Sequence, residues 1–168
     1  KVSLIPFFMK AICKILTEMP HFNSSIDEID NQLILKDYIN IGIAINTQNG
    51  LVVPVIKNVS NKTIKELSKE LTSLSNNARN KQLSPSDMEG GCFTISSLGS
   101  IGGTYFTPII NPPEVAILGI SKSIFEPIFI KNKLKKRLML PFSLSFDHRV
   151  VDGADAAEFT KRFGNLIS

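Results

Sequence analysis

The chain has 168 residues, enough for one domain with an ordinary hydrophobic core that needs no disulfides or metal ions. Its 19 basic and 15 acidic residues give a net charge of +4 without any helix-turn-helix, zinc-finger or RNP-like pattern, so nucleic-acid binding is not predicted. No apolar run approaches the roughly 20 residues that cross a bilayer, and no signal peptide opens the chain, so no membrane association is predicted. The hydrophobic fraction of 43% is high and indicates surface buried between subunits.

The first predicted element is a buried helix over residues 3–20, SLIPFFMKAICKILTEMP, which has apolar residues on nearly every face. Pro6 is tolerated in the first turn of a helix, and Pro20 ends it. This helix contains Cys13, and a second cysteine, Cys92, follows later. Neither lies in a CxxC motif or near a histidine at ligand spacing. Both are therefore predicted to be reduced core residues of an intracellular protein, and no metal site is predicted.

Two antiparallel strands are predicted within residues 38–56, YINIGIAINTQNGLVVPVI. Isoleucines alternate with small or polar residues in the first strand, which is the period of a half-buried strand. Asn49 and Gly50 then supply a hairpin turn. Pro54 favours an edge position or a bulge for the second strand, because proline cannot donate a hydrogen bond to a neighbouring strand.

An amphipathic surface helix is predicted next, over residues 61–81. Thr63 and Glu66 have the spacing of a capping box at its start. Its apolar side chains recur at helical spacing on one stripe: Ile64, Leu67, Leu71 and Leu74.

Three strands and a closing helix complete the predicted elements. The strands cover residues 92–97, 114–121 and 137–146, and the helix covers residues 152–167. The basic run at 131–137, KNKLKKR, is predicted to be a solvated hairpin. The last strand carries one apolar face: Leu138, Leu140, Phe142, Leu144 and Phe146. Interleaved helices and hairpins predict an α/β fold with a mixed, largely antiparallel sheet and flanking helices.

The stretch SLSFDHRVVDGAD, residues 143–155, contains one of the two histidines. If the strand continues, His148 lies on the same side as Leu144 and Phe146, partly desolvated and in the neutral form that a general base needs. A satisfied core histidine fits the same spacing. Asp152 is equally suited to be a catalytic partner of His148 or the N-cap of the last helix. Asp147 and Arg149 are predicted to be exposed or structural.

A second candidate is the strand end at Ser96 and Ser97, followed by a loop with Gly99, Gly102 and Gly103. These glycines form neither GxGxxG nor a Walker loop, so nucleotide phosphate binding by that route is unsupported. The absence of a GxSxG elbow also weakens a serine-hydrolase interpretation. A serine hydroxyl at a strand end is nevertheless suited to donate a hydrogen bond to an oxyanion.

Two segments carry a family resemblance: FTISSLGSIGGTYFTPIINPPEVAILGISKS and LMLPFSLSFDHRVVDGADAAEF. Together they resemble the catalytic domain of the E2 acyltransferases of 2-oxoacid dehydrogenase complexes. FNSSIDE, YINIGIAINTQNGLVVPVIKNV and ARNKQLSPSDMEGGCFTISS fit the same family, so the likeness covers essentially the whole chain. HxxxDG alone also occurs in chloramphenicol acetyltransferase and condensation domains, whereas DHRxxDG after SLSF, with SSLGSIGGT, is typical of E2.

The resemblance implies a chloramphenicol acetyltransferase-like fold and a homotrimer that belongs to a larger symmetric core. It implies transfer of an acetyl group between the lipoyl arm and coenzyme A, which gives acetyl-CoA. His148 would be the general base for the coenzyme A thiol, and Ser96 of a neighbouring subunit would stabilise the oxyanion. Asp152 would complete the catalytic set by locking the histidine loop.

Coenzyme A contacts are implied at six positions: Ser3, Asn46, Ser75, Ser97, Gly119 and Ser121. The lipoyl group would be carried on a separate domain, and the E1 and E3 components would bind through domains outside this chain. Residues 1–168 would form the acyltransferase domain without the family's first strand and helix, and short of its C-terminal tail. A bacterial cytoplasmic location is expected, with the mitochondrial matrix or another organelle as the alternative.

Other functions remain open at this point. An E2 specific for succinyl or branched-chain acyl groups shares the same motifs. A chloramphenicol-type acetyltransferase and a structural E2-like core without activity are further alternatives. The presence of both Ser96 and His148 argues against the purely structural role.

Overall fold

The computed structural model describes residues 3–99 and 101–168. Three α-helices and ten strands are present in this part of the chain. The helices are α1 (Ile5–Glu18), α2 (Ile64–Arg79) and α3 (Gly153–Ile167). The strands are β1 (Ser24–Asp27), β2 (Gln32–Leu35), β3 (Ile41–Thr47), β4 (Gly50–Val52), β5 (Val55–Ile56), β6 (Phe93–Ser97), β7 (Ala116–Ile120), β8 (Ile124–Ile130), β9 (Lys133–Met139) and β10 (Phe142–Phe146).

A mixed six-stranded sheet forms the centre of the molecule, in the order β10-β7-β6-β3-β4, with β5 also paired to β3. The pairs β3–β6 and β6–β7 are parallel, while β10, β4 and β5 run antiparallel to their neighbours. Two separate antiparallel hairpins, β1–β2 and β8–β9, stand outside this sheet. The predicted mixed, largely antiparallel sheet with flanking helices is confirmed.

One face of the central sheet is apolar and packs against the helices. It presents the alternate residues of each strand to the core: Ile41, Ile43, Ile45, Phe93, Ile95, Ala116, Leu118 and Ile120. Phe159 of α3 lies between the rings of Phe22 and Phe93, with centroids 4.8 and 5.5 Å away. Offset and tilted ring contacts of this kind favour aromatic clusters. The helical layer is thereby fixed against the sheet.

The other face carries small and polar residues, and we call it the polar face. It consists of Gly42, Ala44, Asn46, Thr94, Ser96, Ile117, Gly119, Ser143 and Ser145. Residues 104–113 cross this face as a chain segment without helix or strand. The Ser143 hydroxyl donates a hydrogen bond to the carbonyl of Phe106, which fastens the segment to β10.

The predicted buried helix is confirmed as α1, and the predicted amphipathic helix is confirmed as α2. In α2 the Thr63 hydroxyl accepts from the Glu66 N–H while the Glu66 carboxylate accepts from the Thr63 N–H, as the capping box predicts. Cys13 and Cys92 are buried free thiols, and burial raises the pKa of both. Within the ranges that the structure describes, no helix combines the length and apolar character needed to cross a bilayer.

The predicted hairpin after β3 is present, but its turn is shifted by one residue. Gln48 and Asn49 form the turn, and Gly50 is the first residue of β4, paired with Thr47. Gly50 has φ +112°, a conformation that glycine adopts without strain. Pro54 interrupts the second strand between β4 and β5 on the outer side of β3, as its missing N–H predicts.

The prediction of one strand over residues 137–146 is wrong. The strand ends at Met139 and a second one begins at Phe142, after Pro141. The first part pairs with β8 in the outer hairpin and the second joins β7 in the central sheet, so the two parts do not share one face. The basic run 131–137 lies in the exposed β8–β9 hairpin, which confirms the prediction for that run.

Candidate functional site

Ser96 lies near the end of β6 on the polar face of the sheet. It is aligned with Ala44 on β3 and Gly119 on β7, and Gly119 is aligned in turn with Ser143 on β10. The Ser96 side chain is half-buried at a cavity of about 300 Å³. The cavity has mostly apolar walls: Ala44, Leu51, Val53, Thr94, Ser96, Pro108, Ile109, Ile110, Asn111 and Ile117. A hydroxyl at the wall of an apolar cavity is suited to orient one polar atom of a small ligand.

Gly119 allows the covering segment to approach the sheet beside Ser96. A Cβ at this position would lie 2.9 Å from the ring of Phe106, 3.1 Å from Pro108 and 2.8 Å from the Ser143 hydroxyl oxygen. These distances are shorter than ordinary van der Waals contacts, so a side chain here would push residues 106–108 away from the sheet. The glycine therefore preserves the wall that residues 106–108 form beside Ser96.

His148 lies in a turn that follows β10 and is exposed in the single chain. The N–H groups of Val150 and Val151 both donate to the carbonyl of Asp147, which defines the turn. The His148 ring contacts the ring of Phe146, with centroids 5.5 Å apart. The prediction that His148 continues the strand and is partly desolvated is wrong for the single chain, because the strand ends at Phe146 and its alternation stops there.

Asp152 is the N-cap of α3. Its carboxylate accepts a hydrogen bond from the Asp155 N–H at 2.8 Å, and Asp155 adds a negative charge to the first turn. This geometry confirms the cap interpretation. Arg149 binds Asp147 and Glu28, and its guanidinium lowers the pKa of Asp147. The arginine thus fastens the histidine turn to the β1–β2 hairpin.

Ser96 and His148 do not meet within one chain. Phe146 lies three residues along β10 from Ser143, and Ser143 is aligned with Ser96 two strands away. With about 3.3 Å per residue and about 4.8 Å between strands, the Ser96 and Phe146 backbones are about 14 Å apart. His148 is two residues further on, and it does not line the cavity beside Ser96.

The predicted coenzyme A contacts divide into two groups. Four occupy the same end of the central sheet, at the carboxyl ends of the parallel strands and close to Ser96: Asn46 on β3, Ser97 on β6, Gly119 on β7, and Ser121 just after β7. The Ser121 N–H donates to the carbonyl of Pro141. The other two lie on different elements: Ser3 is exposed just before α1, and Ser75 is half-buried on α2.

Sequence reasoning missed a buried polar cluster next to the cavity. It contains Glu114, whose side chain is only 5% exposed, together with Thr94 and Asn111. A glutamate at the start of the apolar run EVAILGI was the available signal, since a strand that is buried throughout also buries its first residue. Among the described residues there is no group of three or more side chains suited to hold a metal ion.

The fold is similar to that of chloramphenicol acetyltransferase. A chloramphenicol acetyltransferase structure superposes on 99% of this chain with a TM-score of 0.64, and the chain covers 78% of that structure. The sequence identity is only 17%, so this similarity concerns the fold.

The family is more specific than the fold. All residues from 1 to 168 match the model of the 2-oxoacid dehydrogenases acyltransferase catalytic domain, and the chain belongs to this family. It is 58% identical over 168 residues to the dihydrolipoyllysine-residue acetyltransferase component of the pyruvate dehydrogenase complex of Haemophilus influenzae. The match covers 100% of this chain and 30% of that relative, so the chain spans less than a third of its length.

Two solved structures are similar throughout the chain. Azotobacter vinelandii dihydrolipoamide acetyltransferase, in which the roles of a serine, a histidine and an asparagine in the catalytic mechanism were investigated, has a TM-score of 0.97 and 51% identity. The cubic core of a pyruvate dehydrogenase multienzyme complex gives the same two values. Each match covers 99% of this chain and 69% of the other.

Proposed function

We propose that this domain transfers an acetyl group between a dihydrolipoamide thioester and coenzyme A. One observation carries the proposal: Ser96 stands at a mostly apolar cavity, and its spacing to His148 and Asp152 matches a studied catalytic set. In the Azotobacter vinelandii enzyme the serine precedes the histidine by 52 positions, and the asparagine follows the histidine by four. The same spacings separate Ser96, His148 and Asp152.

His148 is proposed as the general base. A thiol with a pKa near 8.5 is only slightly ionised at neutral pH, so a neutral imidazole that accepts its proton supplies a better nucleophile. The thiolate then attacks the thioester carbonyl, a tetrahedral intermediate forms, and its collapse expels the other thiol. General-base catalysis of this kind contributes about 10²–10⁴-fold.

Ser96 is proposed as the oxyanion donor. Its hydroxyl is held on a strand of the central sheet at the cavity wall, so little reorganisation is needed when negative charge develops on the carbonyl oxygen. One such donor contributes about 10²–10³-fold. The apolar walls strengthen this interaction because they exclude water from the reacting group.

The site is proposed to form between two chains of a homotrimer. Ser96 and His148 are too far apart within one chain to act on the same thioester, because a general base must come within about 3 Å of the atom whose proton it takes. The exposure of His148 in the single chain supports a position facing a neighbouring subunit. Similarity to the cubic core supports assembly of such trimers into a larger core, and the bacterial source of the relatives supports a cytoplasmic location.

Coenzyme A is proposed to enter along the carboxyl ends of β3, β6 and β7, where Asn46, Ser97, Gly119 and Ser121 lie. Ser3 and Ser75 remain proposed contacts on separate elements. The excess of positive charge on the chain favours the phosphates of this ligand. The lipoyl arm, carried by a separate domain, would supply the acyl group, and the E1 and E3 components would bind outside residues 1–168.

The proposal is tested by assaying acetyl transfer from acetyl-CoA to dihydrolipoamide with the purified protein. We expect His148→Ala to lower kcat at least about 10²-fold without changing the oligomeric state. Wild-type turnover by this variant would contradict the assignment of the base. A wild-type protein that forms the core but transfers no acyl group would establish a purely structural role. Faster transfer from succinyl-CoA or isobutyryl-CoA would overturn the acetyl specificity.

A further inference from the structure

Glu114 is a buried acidic side chain that the proposed chemistry leaves unused. It lies two residues before the start of β7 at Ala116, and its side chain is 5% exposed. Neither of its carboxylate oxygens has a hydrogen-bond partner among the described residues. The Thr94 hydroxyl beside it is also buried and unpartnered. Buried polar groups without partners are costly, and their persistence in a fold needs a reason.

Two glycines make room for this carboxyl group. A Cβ at Gly91 would lie 2.6 Å from Glu114 Oε1, which is closer than any real contact allows. A Cβ at Gly42 would lie 2.7 Å from the Thr94 hydroxyl oxygen and 3.6 Å from the same carboxylate oxygen. The sheet therefore holds a space for Glu114 and Thr94 that ordinary side chains at these two positions would fill.

The surroundings of Glu114 favour its neutral form. Burial raises its pKa to about 7, and the Thr94 hydroxyl, the Asn111 side chain and the Lys36 charge oppose that rise less strongly. Lys36 donates to the carbonyl of Gly91 at 3.2 Å, so its ammonium group is already engaged. The Cys92 thiol is the other ionisable group that senses the Glu114 charge. The carboxyl group thus changes its charge within the working range of the protein.

Thr94 and Asn111 connect Glu114 to the Ser96 cavity. Thr94 and Asn111 both line that cavity. Thr94 precedes Ser96 by two residues on β6, so the side chains of Thr94 and Ser96 lie on the same polar face. An ionised Glu114 accepts hydrogen bonds, which draws the donors of Thr94 and Asn111 away from the cavity. A neutral Glu114 can donate its own proton and leaves those donors available to the cavity.

We propose that Glu114 is a positioning residue for the Ser96 cavity, acting through Thr94 and Asn111, and that its neutral form supports acyl transfer. The inference rests on the proposed function. Negative charge appears on the carbonyl oxygen in the tetrahedral intermediate, and a carboxylate behind the cavity wall would oppose it. Repulsion between two unit negative charges about 10 Å apart in protein surroundings would raise the energy of the oxyanion enough to slow the reaction roughly tenfold.

The test is the pH profile of kcat/KM for acetyl transfer between pH 5.5 and 9, measured for wild type, Glu114→Gln and Glu89→Gln. Glu89 is an exposed glutamate shortly before β6 and serves as the matched control. The kcat/KM of wild type and control should fall above about pH 7, as Glu114 ionises. The kcat/KM of Glu114→Gln should not show this fall, and it should be roughly tenfold higher than that of wild type at pH 9.

The outcomes separate this proposal from the proposed function. If wild type transfers no acetyl group at any pH, the proposed function itself is wrong. If wild type is active and Glu114→Gln has the same pH profile of kcat/KM, the proposed role of Glu114 is wrong. It is also wrong if Glu114→Gln loses the same fraction of kcat/KM at every pH. Thr94→Val, which removes the connecting hydroxyl with little change in volume, provides a second variant if Glu114→Gln does not fold. It should also weaken the fall at high pH, and an unaltered fall would count against the proposal.

Discussion

At the scale of single residues, Asp152 is the N-cap of α3, and the proposed function gives its carboxylate no part in proton transfer. Its carboxylate caps α3 through the Asp155 N–H, shortly after the turn that contains His148. Asparagine also caps helices well, whereas alanine does not. The capping role and a role that needs a negative charge therefore make different predictions for these two substitutions.

We predict that Asp152→Asn keeps the stability within a few tenths of a kcal/mol and keeps kcat within a few-fold, because an amide oxygen also accepts from the Asp155 N–H. Asp152→Ala should lose about 1 kcal/mol of stability and more activity, since the His148 turn loses its anchor. Urea denaturation and acetyl-transfer kinetics measure the two effects. A large loss of kcat in a fully stable Asp152→Asn variant would show that the charge itself is needed.

The raised pKa of Glu114 predicts that the protein loses stability as pH rises towards neutrality and above. In the unfolded chain Glu114 loses its proton near its ordinary pKa of 4.5, while in the native state it keeps the proton up to about pH 7. Native protein therefore holds more protons than unfolded protein in this window, and stability falls as pH rises through it. Between pH 5 and 8 the wild type should lose about 2–3 kcal/mol relative to Glu114→Gln. Urea denaturation at both pH values measures this, and parallel changes in the two proteins would contradict it.

At the scale of elements, α3 depends on Phe159 for its attachment to the sheet. The ring is fully buried between Phe22 and Phe93, one from the turn after α1 and one from β6. We predict that Phe159→Ala costs about 3–5 kcal/mol, because it removes a large buried ring and leaves a cavity. Leu166→Ala, at a largely exposed position of the same helix, should cost much less. Chemical denaturation of both variants tests this, and equal losses would show that α3 is not held by this cluster.

The elements that could be predicted from the sequence carry their signals locally. The capping box of Thr63 and Glu66 and the apolar stripe of α2 lie within a few residues of each other, so they are visible without the fold. The parallel centre of the sheet depends on pairing between distant segments, which no local pattern records. Likewise, the alternation of apolar and polar residues continues through Pro141 in the sequence, although the chain passes from one sheet to another there.

The candidate site likewise has features that the sequence predicts and features that it does not. Asp152 was recognisable as a cap because its partner is three residues away. The environment of His148 was not predictable, since it depends on where β10 ends and on which surface faces the turn. The space for Glu114 is made by Gly42 and Gly91, which are separated from it in sequence and approach it only in the folded sheet.

At the scale of the whole molecule, several features of the single chain indicate surfaces that other subunits cover. Large apolar side chains are exposed on both outer hairpins: Ile29, Leu33, Ile34 and Leu35 on β1–β2, and Phe125, Phe129, Leu134 and Leu138 on β8–β9. Contiguous exposed apolar side chains of this kind mark interaction sites. In the proposed function such contacts would also complete the site, because association would bring Ser96 of one chain to His148 of another.

A subunit-mixing experiment tests this directly. Ser96→Ala chains keep the histidine and His148→Ala chains keep the serine, so in a mixed cyclic trimer some interfaces combine both intact residues. Random assembly from equal amounts makes about one quarter of the sites complete, which predicts recovery of about a quarter of wild-type activity above either variant alone.

The two variants are unfolded together, refolded and assayed, with equal oligomer size checked by light scattering. A matched control pairs each variant with the Ser96→Ala/His148→Ala double variant, which offers neither residue and should restore nothing. If each active centre lay within one chain, every subunit in the mixture would lack one of the two groups, and activity would stay at the level of the separate variants. Recovery near one quarter, absent in the control, requires that the serine and the histidine come from different chains.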